Sequence, residues 1–316
     1  MPCPNDALRR QQLWKGMLQK GIRSFIDERP STFRRRARRG IPVEFRAEVW
    51  KAALKTEEHA KPGLYQELLI PQNQWTKLIE IDISRTFPDM PLFDKEQQES
   101  LLRILHAYAN LNPEVGYCQG MNFVAGLLLM VSQKGDFRET PRLEKEEETF
   151  WMFACLMGDG QLSGFYRRRF PLLRRYLWAF DEMVALRLPV LFAHFETENV
   201  QHAVYLHQWF LTLFINSLPL PMVLVIWDAI ICDGLECILP ITVALLEVLE
   251  PTLLSLQFED VIRFFRAMRA GEMGCNFASI GRLVIEGSED IGFPEHVVAE
   301  LRSPLALGTD DASPQR

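Results

Sequence analysis

WFLTLFINSLPLPMVLVIW, residues 209–227, runs for 19 positions without a charged side chain, about the length of a helix that crosses a bilayer. Its middle decides how it folds. Asn216-Ser217-Leu218-Pro219-Leu220-Pro221 sets two prolines on alternate residues, and a proline inside a helix removes a backbone donor and clashes with the preceding turn. The stretch therefore reads as two buried helices joined by a Leu-Pro-Leu-Pro turn, not as a membrane span.

Outward from it, the helical period dominates. Leu101, Leu102, Leu105 and Tyr108 fall at i, i+1, i+4, i+7, and Phe150, Phe153, Ala154 and Met157 at i, i+3, i+4, i+7. Each set makes one apolar stripe on an amphipathic helix. The two-residue alternation of half-buried strands, with Asn-Gly hairpin turns, is essentially missing, so the fold class is all-α. Breaks are expected at Gly40-Ile41-Pro42, Pro88 to Pro91, Asn112-Pro113, Gly158 to Gly164, Pro189, Pro219 to Pro221, Gly234, Pro251, Gly271 to Gly274 and Gly287 to Pro294. These give a dozen or more helices without the fixed period of a solenoid. The polar end, residues 308–316, reads as disordered.

The composition narrows the function classes. With 316 residues and 48% hydrophobic content, the chain suffices for one large domain or two medium lobes. Its net charge of -6 repels a polyanion, so nucleic acid is a poor partner for the molecule as a whole. Cys3, Cys118, Cys155, Cys232, Cys237 and Cys275 form no C-x-x-C pair, which fits reduced thiols in the cytosol. The start, MPCPNDALRRQQLWKG, lacks the apolar run of a secretory signal. There is no G-x-x-x-x-G-K-S/T loop to cradle a phosphate, no H-E-x-x-H pair for a metal and no G-x-S-x-G elbow.

Two charge runs stand out. Glu144 to Glu148 suits the exposed first turn of the helix carrying Phe150. Arg34-Arg35-Arg36-Ala37-Arg38-Arg39 reads either as a solvated helix face or as attraction to an acidic membrane or partner surface.

Three motifs carry more. Ile79, Asp82 and Arg85 form I-x-x-D-x-x-R near a helix end. Alone, Arg85 reads as a cation offsetting the helix dipole and pairing with Asp82. In Asn112 to Asn122, glycines flank Tyr117-Cys118-Gln119 just before the apolar run Phe123 to Val131. Alone, Gln119 reads as the cap of that helix. The third motif is Gly40-Ile41-Pro42-x-x-x-Arg46-x-x-x-Trp50.

In that order and spacing, with Trp227-Asp228 and Asp233-Gly234 beyond, the set resembles the TBC domain of Rab GTPase-activating proteins, over about residues 36–255. Val225-Ile226 stands where the family has an arginine shortly before Trp227, and Pro240 where it often has a basic residue; both lie in the second lobe. The resemblance implies a V-shaped, two-lobed helical domain over residues 36–302, its C-terminal helices at 256–302, between an N-terminal helical flank (1–35) and a tail (303–316). It implies a protein that activates a GTP-bound Rab in trans: Arg85 as the arginine finger, Gln119 as the glutamine finger, and Asp82, Tyr117, Arg46 and Trp50 in support. Asp82 would hold Arg85, Tyr117 would touch the partner's switch surface, and Arg46 and Trp50 would pack. GTP and Mg²⁺ belong to the partner, so no cofactor of its own is expected, and the protein is placed in the cytoplasm, peripheral to endomembranes. A catalytically silent Rab-binding scaffold is the alternative. Which Rab, which membrane and what oligomeric state are not legible.

Overall fold

In the computed structural model the uncharged stretch 209–227 ends one short helix, crosses an irregular turn over residues 212–218 and enters a second helix at Leu220. The structure describes residues 4–70, 72–90, 93–133, 142–158, 161–272 and 276–305, with the side chains of 4–7 and 142 excepted. Residues 306–316 of the expected disordered tail, Cys3 and Cys275 lie outside these. Among the described residues no helix is long and apolar enough to cross a membrane.

The chain opens with α1 (Pro4–Gln19), α2 (Ile22–Glu28), α3 (Pro30–Arg38) and α4 (Arg46–Ala53), then the short α5 (Thr56–His59) and α6 (Leu64–Leu68). Next come α7 (Thr76–Ser84), α8 (Lys95–Leu111), α9 (Met121–Ser132) and α10 (Arg142–Met157). The remainder is α11 (Pro171–Arg187), α12 (Pro189–Thr197), α13 (Leu206–Leu211), α14 (Leu220–Asp233), α15 (Ile238–Leu253), α16 (Phe258–Ala270), α17 (Phe277–Ser288) and α18 (Glu295–Arg302). Local chemistry sets many boundaries. The Asp94 carboxylate accepts from Gln97 N at 2.9 Å to open α8, and proline occupies the first turn of α3, α11, α12 and α14, where its missing N–H is not needed. Gly271, at φ +74°, closes α16.

Two central helices organise the core. α9 is buried at all twelve positions and packs against α4, α7, α8 and α10. α15 lies against α11 and α17, and α14 packs on α17, α3 and α4. A helix apolar all round has no solvent face, so its neighbours must cover it. Leu101, Leu105 and Tyr108 face this core as expected, as do Phe150, Phe153 and Met157.

Three expectations shift. Pro251 does not break the chain: it sits in the last turn of α15, where the helix ends two residues later. Gly287 stays inside α17, and the break falls after Ser288. The acidic run is not wholly solvated: Glu144 is in the first turn of α10, but Glu146, a half-turn further, is fully buried. Its carboxylate accepts from Tyr65 Oη at 2.6 Å and from Arg103 Nε and Nη2 at 2.8 and 2.7 Å, which is what makes burying a charge there tolerable.

Candidate functional site

Ile79 and Ile83 anchor α7 in the core, and the same face carries Asp82, which has no exposed surface. The helix stops at Ser84, short of the stop expected at Pro88, so Arg85 is the first residue beyond it, with 49% of its side chain exposed. Arg85 Nε donates to Asp82 Oδ1 at 2.8 Å, and Nη2 reaches the same oxygen. Tyr117 Oη donates to the other oxygen, Oδ2, at 2.6 Å. A second strand of bonds runs beside the first: Thr86 Oγ1 donates to Asp82 O at 2.7 Å, and Asn122 Nδ2 donates to Thr86 Oγ1 at 2.8 Å.

The loop before α9 is built on two left-handed glycines. Gly116 (φ +61°) lies against the Trp75 ring, where a Cβ would stand 2.2 Å from ring carbons, and at Gly120 (φ +111°) a Cβ would stand 2.7 Å from Leu211 O. No side chain fits either place. Between them, Tyr117 is 5% exposed with its hydroxyl on Asp82, whereas Gln119 is exposed and has no side-chain hydrogen bond among the described residues. Tyr117 therefore turns inward, with its hydroxyl spent on Asp82 rather than offered at the surface. Gln119 is not a cap either: Gly120 holds that position, and its N–H goes to Asn122 Oδ1 at 3.1 Å.

Burial pushes the Tyr117 phenol well above the usual range, and the bond to Asp82 adds to it; burial likewise raises the Cys118 thiol. Both stay protonated at neutral pH. Leu78 and Ile81, 43% and 61% exposed, lie on the outer face of α7 immediately before Arg85.

Arg46 and Trp50 are elsewhere. Arg46 Nε and Nη2 meet Asp228 Oδ1 and Oδ2 at 2.9 and 3.0 Å, Trp50 Nε1 donates to Oδ1 at 2.9 Å, and Ile41 N donates to Oδ2 at 2.8 Å. Arg46 Nη2 also reaches Ile41 O at 2.9 Å, and the Trp50 and Trp227 rings lie 5.6 Å apart. Burial raises the Asp228 carboxyl, and Arg46 most strongly opposes that. Thus Gly40 to Trp50 clamps the start of the chain to α14, and no hydrogen bond among the described residues joins it to the Asp82 network. Thr86 and Asn122 were missed by sequence reasoning; their only signal is adjacency, one residue past Arg85 and three past Gln119. Among the described residues no group of three or more His, Cys, Asp or Glu is placed to hold a metal ion.

A model of the Rab-GTPase-TBC domain family matches residues 43–254. The ecotropic viral integration site 5 protein homolog of Homo sapiens is 34% identical over 231 residues, 72% of this chain and 27% of that protein. The Rab GTPase-activating protein eat-17 of Caenorhabditis elegans is 30% identical over 265 residues, 83% of this chain and 28% of that protein. The chain thus spans little more than a quarter of those two relatives. Human growth hormone-regulated TBC protein 1 is 32% identical over 247 residues, 76% of this chain and 69% of its own length. Among solved structures, the Chlamydomonas flagellar RabGAP TBC domain superposes with a TM-score of 0.73 at 25% identity, covering 92% of this chain and 96% of that one. The Ypt/Rab-GAP domain of Gyp1p gives 0.68 at 21%, covering 82% and 91%.

Proposed function

This chain belongs to the Rab-GTPase-TBC domain family and has its all-helical fold, and from that we propose that it accelerates GTP hydrolysis by a GTP-bound Rab, with Arg85 and Gln119 entering the partner's active site. One observation carries the reading. Tyr117–Asp82 and Asn122–Thr86 are hydrogen bonds on either side of Gln119, and they stitch its loop to the Arg85 segment while leaving both Arg85 and Gln119 exposed. Two polar side chains of complementary chemistry are presented from one supported platform.

The chemistry suits them. Phosphoryl transfer to water spreads negative charge over the γ-phosphate and leaving oxygens, and a planar guanidinium can bridge two of them. A carboxamide accepts a hydrogen bond from the attacking water through its oxygen while its N–H donates one to phosphate, which orients the nucleophile. Leu78 and Ile81 supply apolar surface beside Arg85 for the partner to cover. GTP and Mg²⁺ come with the partner, and the chain works where that GTP-bound Rab resides, at the cytoplasmic face of a membrane.

Single-turnover hydrolysis by a panel of GTP-loaded Rabs tests the proposal. At least one Rab accelerates with the wild-type chain, and Arg85→Ala and Gln119→Ala each abolish most of that acceleration. Failure of every Rab to respond, or equal acceleration by both variants, overturns it. Capture of a GTP-bound Rab without acceleration replaces it with the scaffold reading.

A further inference from the structure

The basic run of α3 divides between two faces. Arg38 Nε pairs with Asp233 at 2.6 Å and its Nη1 with Glu289 at 3.4 Å, while Arg34 approaches Asp233 at 3.9 Å. Arg35, Arg36 and Arg39 point the other way, to a cavity of about 690 Å³ against α1, where Arg9 and Arg10 complete the lining. Trp14, 1% exposed and edge-on to Phe33, forms its floor. None of the five arginines has a carboxylate partner among the described residues; Arg10 Nη1 donates to Arg39 O at 3.1 Å, and Arg36 lies over the Phe25 ring. Residues 1–39 hold eleven Lys and Arg against three Asp and Glu, in a chain whose net charge is -6.

We propose that the cavity between α1 and α3 binds a membrane-lipid head group bearing two or more phosphates, and so holds the chain at an anionic membrane surface. Guanidinium groups at i, i+1 on α3, at i+4 on its C-cap residue Arg39, and at i, i+1 on α1 present several forks to one concavity, the geometry that clustered phosphates require and that a single carboxylate does not satisfy. Five like charges facing one cavity repel each other until an anion of matching charge enters. A lipid is the source because the same rim is apolar: Leu13 lines the cavity at 45% exposure, and Leu8 stands at 57% on the same helix. Leucines beside basic side chains are what an interfacial helix offers to the boundary between head groups and acyl chains.

The test is cosedimentation of the full chain with phosphatidylcholine vesicles carrying a bisphosphorylated phosphatidylinositol, against vesicles brought to the same total charge with phosphatidylserine. Binding is expected to be about tenfold tighter to the first, and Arg35→Ala/Arg39→Ala to lose about tenfold there. Both arginines are exposed, so circular dichroism of that variant stays unchanged. Arg266→Ala/Arg269→Ala removes the same charge from α16 and binds as wild type does. Leu13→Ser weakens vesicle binding while leaving calorimetric binding of soluble inositol trisphosphate intact. Equal binding to the two charge-matched vesicles overturns the site, as does equal loss in the α16 variant. Inositol trisphosphate binding as tight as the vesicles, with Leu13→Ser silent, overturns the lipid assignment in favour of a soluble polyphosphate.

Discussion

Tyr117 and Asp82 stand 35 residues apart in the chain and meet through a hydrogen bond of 2.6 Å, on the carboxylate whose other oxygen receives Arg85. The two motifs therefore share one buried anion. Arg85 is held from below by a group that is itself held from the side, and this positions a long side chain without burying it.

Tyr117→Phe tests that support. It leaves Asp82 Oδ2 buried without its donor, which costs about 1–3 kcal/mol of stability in chemical denaturation. If the tyrosine works through Asp82, stimulated GTP hydrolysis falls while binding of a GTP-loaded Rab changes little. Weakened Rab binding with an unchanged rate at saturation would instead make Tyr117 a contact residue.

Arg85→Ala and Arg85→Lys separate structure from chemistry. Truncation deprives a fully buried carboxylate of its charge-assisted bond, so a loss of about 1–3 kcal/mol of stability accompanies the kinetic loss. At equal folded concentration the rate falls by about 10³–10⁵. Lysine restores most of the stability, since an ammonium still pairs with Asp82, but not the rate, because a point charge does not bridge two phosphate oxygens. A lysine variant with wild-type rate would leave Arg85 no role beyond the ion pair.

What the sequence disclosed follows the range of the forces involved. Helices were legible because their apolar stripes repeat every turn, and Arg85 and Gln119 stood out because ordered motifs surround them. Asp228 as the partner of Arg46, 182 residues away, was not: nothing local marks which of 41 acids closes that bond. Glu146 was hidden for a related reason, since its burial depends on Tyr65 and Arg103 from other helices, while Glu144, Glu147 and Glu148 in the same run keep part of their surface in solvent. Gln119 read alone as a cap because a glutamine before an apolar run is common; only the left-handed Gly120 takes that position away.

Stability falls on the acid side through His106. The ring is 6% exposed, its Nε2 has no partner among the described residues, and burial lowers its pKa below the ordinary 6.5, with Glu80 opposing. The unfolded chain then binds the proton first, so the contribution is present above pH 6.5 and is lost as pH falls through that value toward the lower folded pKa. Denaturation at about pH 7 and about pH 5.5 measures the slope, and His106→Leu makes it shallower. His207, lowered by burial and by His202, sustains part of what remains. An unchanged slope in His106→Leu would mean that the ring charges without penalty.

The clamp at Asp228 makes the largest stability prediction and the most discriminating one. Arg46→Ala leaves Asp228 with no exposed surface and no cation, and breaking a buried pair from one side costs about 3–5 kcal/mol. Asp228→Ala strands Arg46 in the same way. Removing both, as Arg46→Met/Asp228→Leu, is milder than either single change, because a packed apolar pair carries no uncompensated charge. Trp50 Nε1 and Ile41 N then lack an acceptor, which keeps the double variant below wild type. Since no hydrogen bond links this clamp to Asp82, each variant that stays folded retains the stimulated rate per folded molecule. A double variant worse than the sum of the singles would mean that Asp228 holds α14 through its hydrogen bonds to Trp50 and Ile41 more than through Arg46.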